Sequence, residues 1–395
     1  MIRLLPTEAW EYSSFDLLRG LRSGLTQERT RQGVPLPGLG MGIPIRSARA
    51  AVIIALKALN LGQGAKIGVP LYCCPVVFKA IKTADCYPIF LDIDPATFCL
   101  SPEDVSAKSA GLDALIAVHM FGNLCDMPKV INAMNGKPVI EDCAQSLGSS
   151  IEGRPSGSFG RASFFSFRSG KYLSAGEGGA LFSDNAGLNA RISGLVSGLP
   201  RPTRAQELKH VLLTYVRSKL RGRALWGPVG SRVWRTYNRR VEFADKSPIS
   251  VGGIYASDLA TVRQRMMRLD SMIARQRSNA SSYERRLRVG PSLICHQRAG
   301  TAYNRFMFPI TFPTAEHRDL VSHYLTMHGI GTAKPYEDVI EGAARHYGYE
   351  GDCPAAERAL KRTLVIPNQY MLGPGDIERI ASKVNAGWAS TMIRT

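Results

Sequence analysis

The 395-residue chain has no run near the roughly 18 consecutive apolar residues that a membrane-crossing helix needs. Its first residues, Met1 to Leu5, lead into Pro6 and Glu8 rather than into an apolar core with a small-residue cleavage site, so no secretory leader is expected. There is no Cys-x-x-Cys pair, and none of the eight cysteines stands at a zinc-type spacing from histidine. No metal site is therefore expected, and the cysteines read as reduced thiols of a cytoplasmic protein. Acidic residues are also scarce: 32 Asp and Glu face 50 Lys and Arg, a net charge of +18. That excess points to an anionic partner, whether a substrate, a lipid headgroup or a nucleic acid.

What is present is enough apolar material, 45% of residues, to bury a large core. Between residues 47 and 185 short β-rich runs alternate with helix-length segments. The expected strands are Lys66–Leu71, Pro88–Ile93, Ala114–His119, Lys137–Glu141, Ala162–Phe167 and Ala180–Ser183, with helices over Ala48–Leu59, Val76–Thr83 and Met127–Met134. This alternation predicts a mostly parallel sheet with helices on both faces, an α/β fold. Beyond it lie a long helix over about Ala256–Leu287, a strand in Phe306–Phe312, a helix through His317–His328 and a last one near Asp376–Ala386. The division expected is a large α/β domain over 1–200, an insertion over 201–245 and a smaller α+β domain over 246–395.

The insertion holds over half the net charge. Residues 201–240 carry eleven Lys and Arg against one acid, Glu207. Leu208, Val211, Leu212, Tyr215, Val216 and Leu220 recur at helical spacing, Gly227-Pro228 interrupt them, and Val233, Trp234 and Tyr237 follow. A basic amphipathic hairpin with tryptophans suits an anionic membrane face, and equally a helix pair packed on a partner subunit. No nucleic-acid recognition motif accompanies the charge, so nucleic acid is not expected as a partner.

The chemistry concentrates on Lys171. It follows the aromatic run Phe164-Phe165-Ser166-Phe167, sits beside Gly170 and precedes Gly176-Glu177-Gly178-Gly179, where the backbone can turn tightly against a ligand. An acidic pair, Glu141-Asp142, closes an apolar run 29 residues earlier. A lysine that forms an imine with pyridoxal phosphate and a carboxylate that keeps a proton on the pyridine nitrogen would need this layout. Burial and a neighbouring cation would lower the lysine pKa. Asp142 could instead cap a helix expected to start at Cys143-Ala144-Gln145. Ser47 is a plausible cap for the helix opening Ala48-Arg49-Ala50, a start that can bind phosphate, although most serine-capped helices bind nothing. His119, at a strand end, reads as a satisfied core histidine.

Taken together, Val139 to Gly148, Gly157-Ser158-Phe159-Gly160, Phe165-Ser166-Phe167, Lys171 and Gly176 to Gly179 resemble the DegT/StrS family of pyridoxal-phosphate-dependent sugar aminotransferases, on the aspartate aminotransferase type I fold. Supporting stretches run in consistent order over about 47–385. By that resemblance Lys171 is the imine-forming lysine, Asp142 the pyridinium partner, Gln145 a neighbour of the cofactor ring, and Ser166 a phosphate contact. Ser47-Ala48-Arg49 match the family's Ser-Gly-Thr phosphate cradle, with Ala and Arg in place of Gly and Thr. Cys74 takes the place of an aromatic over the ring, Tyr72 lying two residues earlier. Tyr336 matches a segment near the substrate.

The resemblance implies a homodimer with shared active sites, glutamate or glutamine as amino donor, and a keto group on a sugar, nucleotide sugar or lipid-linked compound as acceptor, in polysaccharide or lipid biosynthesis. A dehydratase branch, which uses the pyridoxamine form, typically has histidine at the lysine position. The family's partner-reaching Gly-x-Asn segment is not recognisable around Val251 to Tyr255, and the basic hairpin precedes it. The expected location is cytoplasmic, peripheral to the inner membrane face if the hairpin docks there.

Overall fold

The computed structural model describes residues 4–26, 32–222, 248–290 and 297–392. Its helices in chain order are α1 (Ser14–Thr26), α2 (Ala48–Leu59), α3 (Pro75–Thr83), α4 (Pro102–Lys108), α5 (Met127–Ala133), α6 (Ala186–Ser197), α7 (Arg204–Leu220), α8 (Ala256–Met266), α9 (Leu269–Arg286), α10 (Ala315–Met327), α11 (Val339–Tyr347), α12 (Pro354–Arg362) and α13 (Pro374–Met392). The strands are β1 (Val34–Leu36), β2 (Gly40–Ile45), β3 (Lys66–Pro70), β4 (Tyr87–Leu91), β5 (Ala114–Val118), β6 (Val139–Asp142), β7 (Ser150–Ile151), β8 (Arg154–Pro155), β9 (Ala162–Ser166), β10 (Gly179–Phe182), β11 (Thr301–Ala302), β12 (Phe308–Thr311) and β13 (Thr363–Ile366).

Eight strands form one sheet in the order β1-β2-β10-β9-β6-β5-β3-β4. The five strands from β9 to β4 run parallel, whereas β10, β2 and β1 join antiparallel, so the sheet is mixed at one side. The parallel part explains the continuous apolar runs: every residue of Ala114-Leu-Ile-Ala-Val118 is buried, because helices cover both faces. The helix α2 is held at its start by Ser47, whose hydroxyl accepts the Ala50 N–H at 3.2 Å, and ends at Asn60 in the left-handed region. Eight of its twelve residues are buried, which makes it a central helix of the core.

A second apolar core gathers around the two-stranded sheet β12-β13, where Phe308, Ile310 and Ile366 pack with Tyr283 of α9, Val321 of α10 and Ile380 of α13. The long helix expected over 256–287 is two helices instead. Arg268 takes φ −111°, ψ 0°, which redirects the chain between α8 and α9. The last helix is longer than expected and begins at Pro374. The boundary expected at 245, and the second half of the expected hairpin with Trp226, Trp234 and Tyr237, lie outside the described residues. No helix of the described residues is long and apolar enough to cross a membrane.

Candidate active site

The lysine loop begins where β9 ends. Phe167 N–H donates to Gly178 O at 2.9 Å and Ala175 N–H to Phe167 O at 2.8 Å, which closes residues 168–176 into a compact loop. Gly170 turns it at φ +95°. Lys171 emerges half-buried, with Nζ 4.8 Å from the centre of the Phe306 ring. It lines two adjoining cavities, one shared with Ala144, Gln145 and Ser166, the other with Glu8, Phe306 and Tyr370. Burial and the Arg168 guanidinium push its pKa down to about 8, against the pull of Glu8 and Asp142. A larger share of free amine is therefore present near neutral pH than for a surface lysine.

Asp142 ends β6, beside β9 in the sheet, and pairs in register with Phe164. Burial pushes its carboxyl above the usual range, while the Ala144 N–H and the charge on Lys171 pull the other way. The expected helix at Cys143 does not form: residues 144–148 are turns. Asp142 accepts the Ala144 N–H at 2.9 Å through one oxygen, a local cap of the turn.

Its neighbour Glu141 braces the site from beneath. This fully buried carboxylate accepts the N–H groups of Gly157 (2.8 Å), Phe159 (2.7 Å) and Gly160 (2.6 Å), and holds His119 Nε2 at 2.9 Å. His119 Nδ1 faces the Cys125 N–H at 3.2 Å, which leaves Nε2–H to donate to Glu141. His119, Glu141 and Cys143 lie within 4.8 Å of one another, but the carboxylate is taken up by four donors, so this triad is a structural brace rather than a metal site.

The remaining expected residues converge from other elements. Gln145 accepts the Phe121 N–H at 3.0 Å and donates to the Tyr336 hydroxyl at 3.4 Å. Tyr336 stands at φ +60°, a strained position for a bulky residue. Burial raises its hydroxyl pKa strongly, with Cys74, Cys73, Tyr72 and Asp142 near enough to add to the effect. Cys74 caps α3 half-buried, whereas Tyr72 is fully buried between Phe98, Phe121 and Tyr336 at ring distances of 5.4, 6.0 and 5.8 Å.

Ser47, Ala48 and Arg49 open α2 on the other side of Ser166. Ser166 pairs with Gly179 in the sheet, and Ser47 bridges Gly178. A Cβ at Gly179 would stand 2.8 Å from Ala48 N, so only glycine lets the strand lie against the start of α2. The helix start and Ser166 are thereby joined across a single residue.

Glu8 is a further residue at the site, unmarked by any motif. The segment after Leu5, tied to the second core by Leu5 N–H to Gly329 O at 2.9 Å, passes the cavity with Thr7, Glu8 and Ala9 in its wall. Burial alone would raise the Glu8 pKa, but Arg168, Arg221 and Lys171 outweigh it and hold the carboxyl below its usual range. Nothing local in Pro6-Thr7-Glu8 signals this role, since the contact spans 163 residues of chain.

Residues 37–216 and 256–385 match the DegT/DnrJ/EryC1/StrS aminotransferase family. The chain belongs to this family. Among curated relatives it is 35% identical over 157 residues to an L-glutamine:scyllo-inosose aminotransferase of Streptomyces griseus, covering 39% of this chain and 37% of that protein. It is 34% identical over 164 residues to a UDP-N-acetyl-3-dehydro-alpha-D-glucosamine 3-aminotransferase of Acidithiobacillus ferrooxidans, covering 40% and 44%. The chain thus spans less than half the length of these curated relatives. Solved structures match nearly end to end: the aminotransferase TlmJ of Streptoalloteichus hindustanus at TM-score 0.74 and 21% identity, covering 98% of this chain and all of that one, and DesI with its TDP-sugar product at 0.75 and 22%, covering 100% and 96%. These likenesses establish the expected fold.

Family membership implies pyridoxal phosphate, and the residues fit it. The amine with its lowered pKa, the buried carboxylate with one oxygen engaged locally, and the glycine-lined helix start supply the three kinds of contact that the aldehyde, ring nitrogen and phosphate require.

Proposed function

We propose that this chain is a pyridoxal-phosphate-dependent aminotransferase that moves an amino group from glutamate or glutamine to a keto group of a sugar, nucleotide-sugar or lipid-linked substrate. The observation that carries this reading is that Lys171, its pKa lowered to about 8, lies in the loop after β9 within electrostatic reach of the buried Asp142, which ends the adjacent strand β6. The bound cofactor supplies a reactive aldehyde and a ring that draws off electrons.

In this reading Lys171 holds the cofactor between turnovers, and its released amine then moves the proton at the reacting substrate carbon. Asp142 keeps the ring nitrogen protonated, and its raised proton affinity suits sharing that proton. Gln145, fixed by the Phe121 N–H, orients the ring edge. Ser47, Ala48, Arg49 and Ser166 take the phosphate, Cys74 lines the ring face, and Tyr336 meets the substrate. The active unit is a homodimer with shared sites, divided near residues 200 and 245 as the sequence suggests, and the basic insertion favours an amphiphilic acceptor at an anionic membrane face. The presence of lysine rather than histidine at 171 weighs against the dehydratase branch.

The test is spectroscopic and chemical. Purified protein should absorb near 400–430 nm, a band from the bound cofactor. Borohydride should trap a covalent adduct on the Lys171 peptide, found by mass spectrometry. Glutamate or glutamine should bleach the band and keto-sugars restore it. An adduct on another lysine, or none, would overturn the reading.

A further inference from the structure

The helices α1 and α7 turn several large apolar side chains outward. In α1 the buried residues are Asp16, Gly20, Ser23 and Gly24, whereas Phe15, Leu18 and Leu25 are 77%, 63% and 51% exposed. With Arg22, also exposed, they recur at spacings of three and four and so form one outward stripe. In α7 the buried residues are Glu207, Val211, Thr214 and Ser218, while Leu212 and Val216 are 51% and 52% exposed and Lys209, Arg217 and Lys219 stand beside them. The normal arrangement places the apolar stripe toward the core.

The two helices lie side by side and antiparallel. Ser14 meets the Tyr215 hydroxyl at 3.3 Å, a Cβ at Gly20 would touch Val211 at 3.2 Å, and one at Gly24 would touch Glu207 at 3.0 Å. Small residues at the seam bring the helices close, and the inward acids are already engaged. Asp16 meets Arg265 at 3.4 Å, and Glu207 accepts the Ala256 N–H at 2.6 Å. What faces outward is therefore phenylalanine, leucine and valine bordered by arginine and lysine.

We infer that the outer face of α1 and α7 docks on an anionic lipid bilayer surface, the apolar side chains entering the headgroup boundary and the cations pairing with lipid phosphates. This rests on the interfacial part of the proposed function and locates it, adding α1, a helix outside the basic insertion. Charge complementarity selects the occupant. A twofold contact between two copies would set like-charged faces against each other, whereas a negative leaflet attracts them. Each exposed cation near such a surface strengthens binding roughly fivefold at moderate salt.

The test is flotation of the full-length holoenzyme with zwitterionic vesicles and with vesicles containing anionic phospholipid. The wild type is expected to float with the anionic vesicles, less so at high salt. Leu18→Glu and Leu212→Glu should each weaken binding tenfold or more, and Arg22→Gln or Arg217→Gln about fivefold. All four positions are exposed, and unchanged cofactor absorbance checks that the variants fold. Lys171→Ala should float like the wild type, so failure of the catalytic reading and failure of docking are seen separately. Absence of flotation by the wild type, equal flotation of the variants, or variants that turn a dimer into a monomer while still floating would overturn the inference, the last by giving the face to a second copy of the chain.

Discussion

Glu8 accepts from Arg221 at 3.2 Å, and its carboxylate lies where a side chain on Gly170 would have to go. Arg221 in turn lies over the Trp10 ring at 4.4 Å. The start of the chain, the lysine loop and the end of α7 thus meet at one ion pair.

Removing the charge at Glu8 should make Lys171 easier to deprotonate, since the carboxylate favours the ammonium form. In Glu8→Gln the lysine pKa should fall below 8, and its amine should react faster at pH 7, by about threefold if the fall is half a unit. Competitive labelling of Lys171 across pH in protein stripped of cofactor, read by mass spectrometry, measures it. An unchanged or higher midpoint would show that Glu8 does not act on Lys171.

Glu141 should matter for stability more than for chemistry. Glu141→Ala strands three backbone N–H groups and the His119 donor in a buried place, a loss of about 3–5 kcal/mol. The denaturant midpoint should drop with an unchanged slope, because the surface exposed on unfolding stays the same. A loss under about 1 kcal/mol would contradict the brace, being no more than one ordinary hydrogen bond is worth.

A pH signature is expected from His210 on α7. Burial disfavours its charge, but Asp258, at 2.8 Å, outweighs this and raises the pKa above its ordinary value of about 6.5. The raised value means that this contribution to stability is full below about pH 6.5 and fades as pH climbs through the folded-state pKa. Wild type should therefore exceed His210→Gln most clearly in mild acid, with the gap narrowing in alkali. Asp258 also accepts the Glu177 N–H at 3.2 Å, so the glycine-rich loop should loosen in the same variant, seen as faster amide exchange at Glu177. A gap that does not vary with pH would rule out the ion pair.

Gly122 should not tolerate alanine. At φ +91° its Cβ would overlap Asn304 Oδ1, and Asn304 holds the carbonyls of Gln145 and Leu147 at 2.9 and 3.0 Å. Gly122→Ala should cost about 1–3 kcal/mol in backbone strain alone and displace Gln145. A thermal melt gives the first effect and the cofactor absorbance band the second.

The parallel strands were legible because strands covered on both faces must be apolar throughout, and the helix α2 agrees with its expected bounds. Lys171, Gln145 and Ser166 line one cavity, Asp142 and Cys74 lie near enough to act on the Lys171 charge, Tyr336 meets Gln145, and Ser47 adjoins through Gly178. Three features were not legible. The turn after Asp142 imitates a helix start because a carboxylate caps either in the same way. The break at Arg268 has no proline or glycine to mark it. In α1, periodicity marks an apolar face without saying which way it points, and two glycines and two polar residues took the inside.

The register between β6 and β9 aligns Ile140 with Ala162 and Asp142 with Phe164. A lattice of main-chain bonds, indifferent to side-chain identity, therefore fixes the spacing between Asp142 and the strand that leads into the Lys171 loop. Side chains on the rim and the outer helices can therefore change while Asp142 and the strand before Lys171 stay in register.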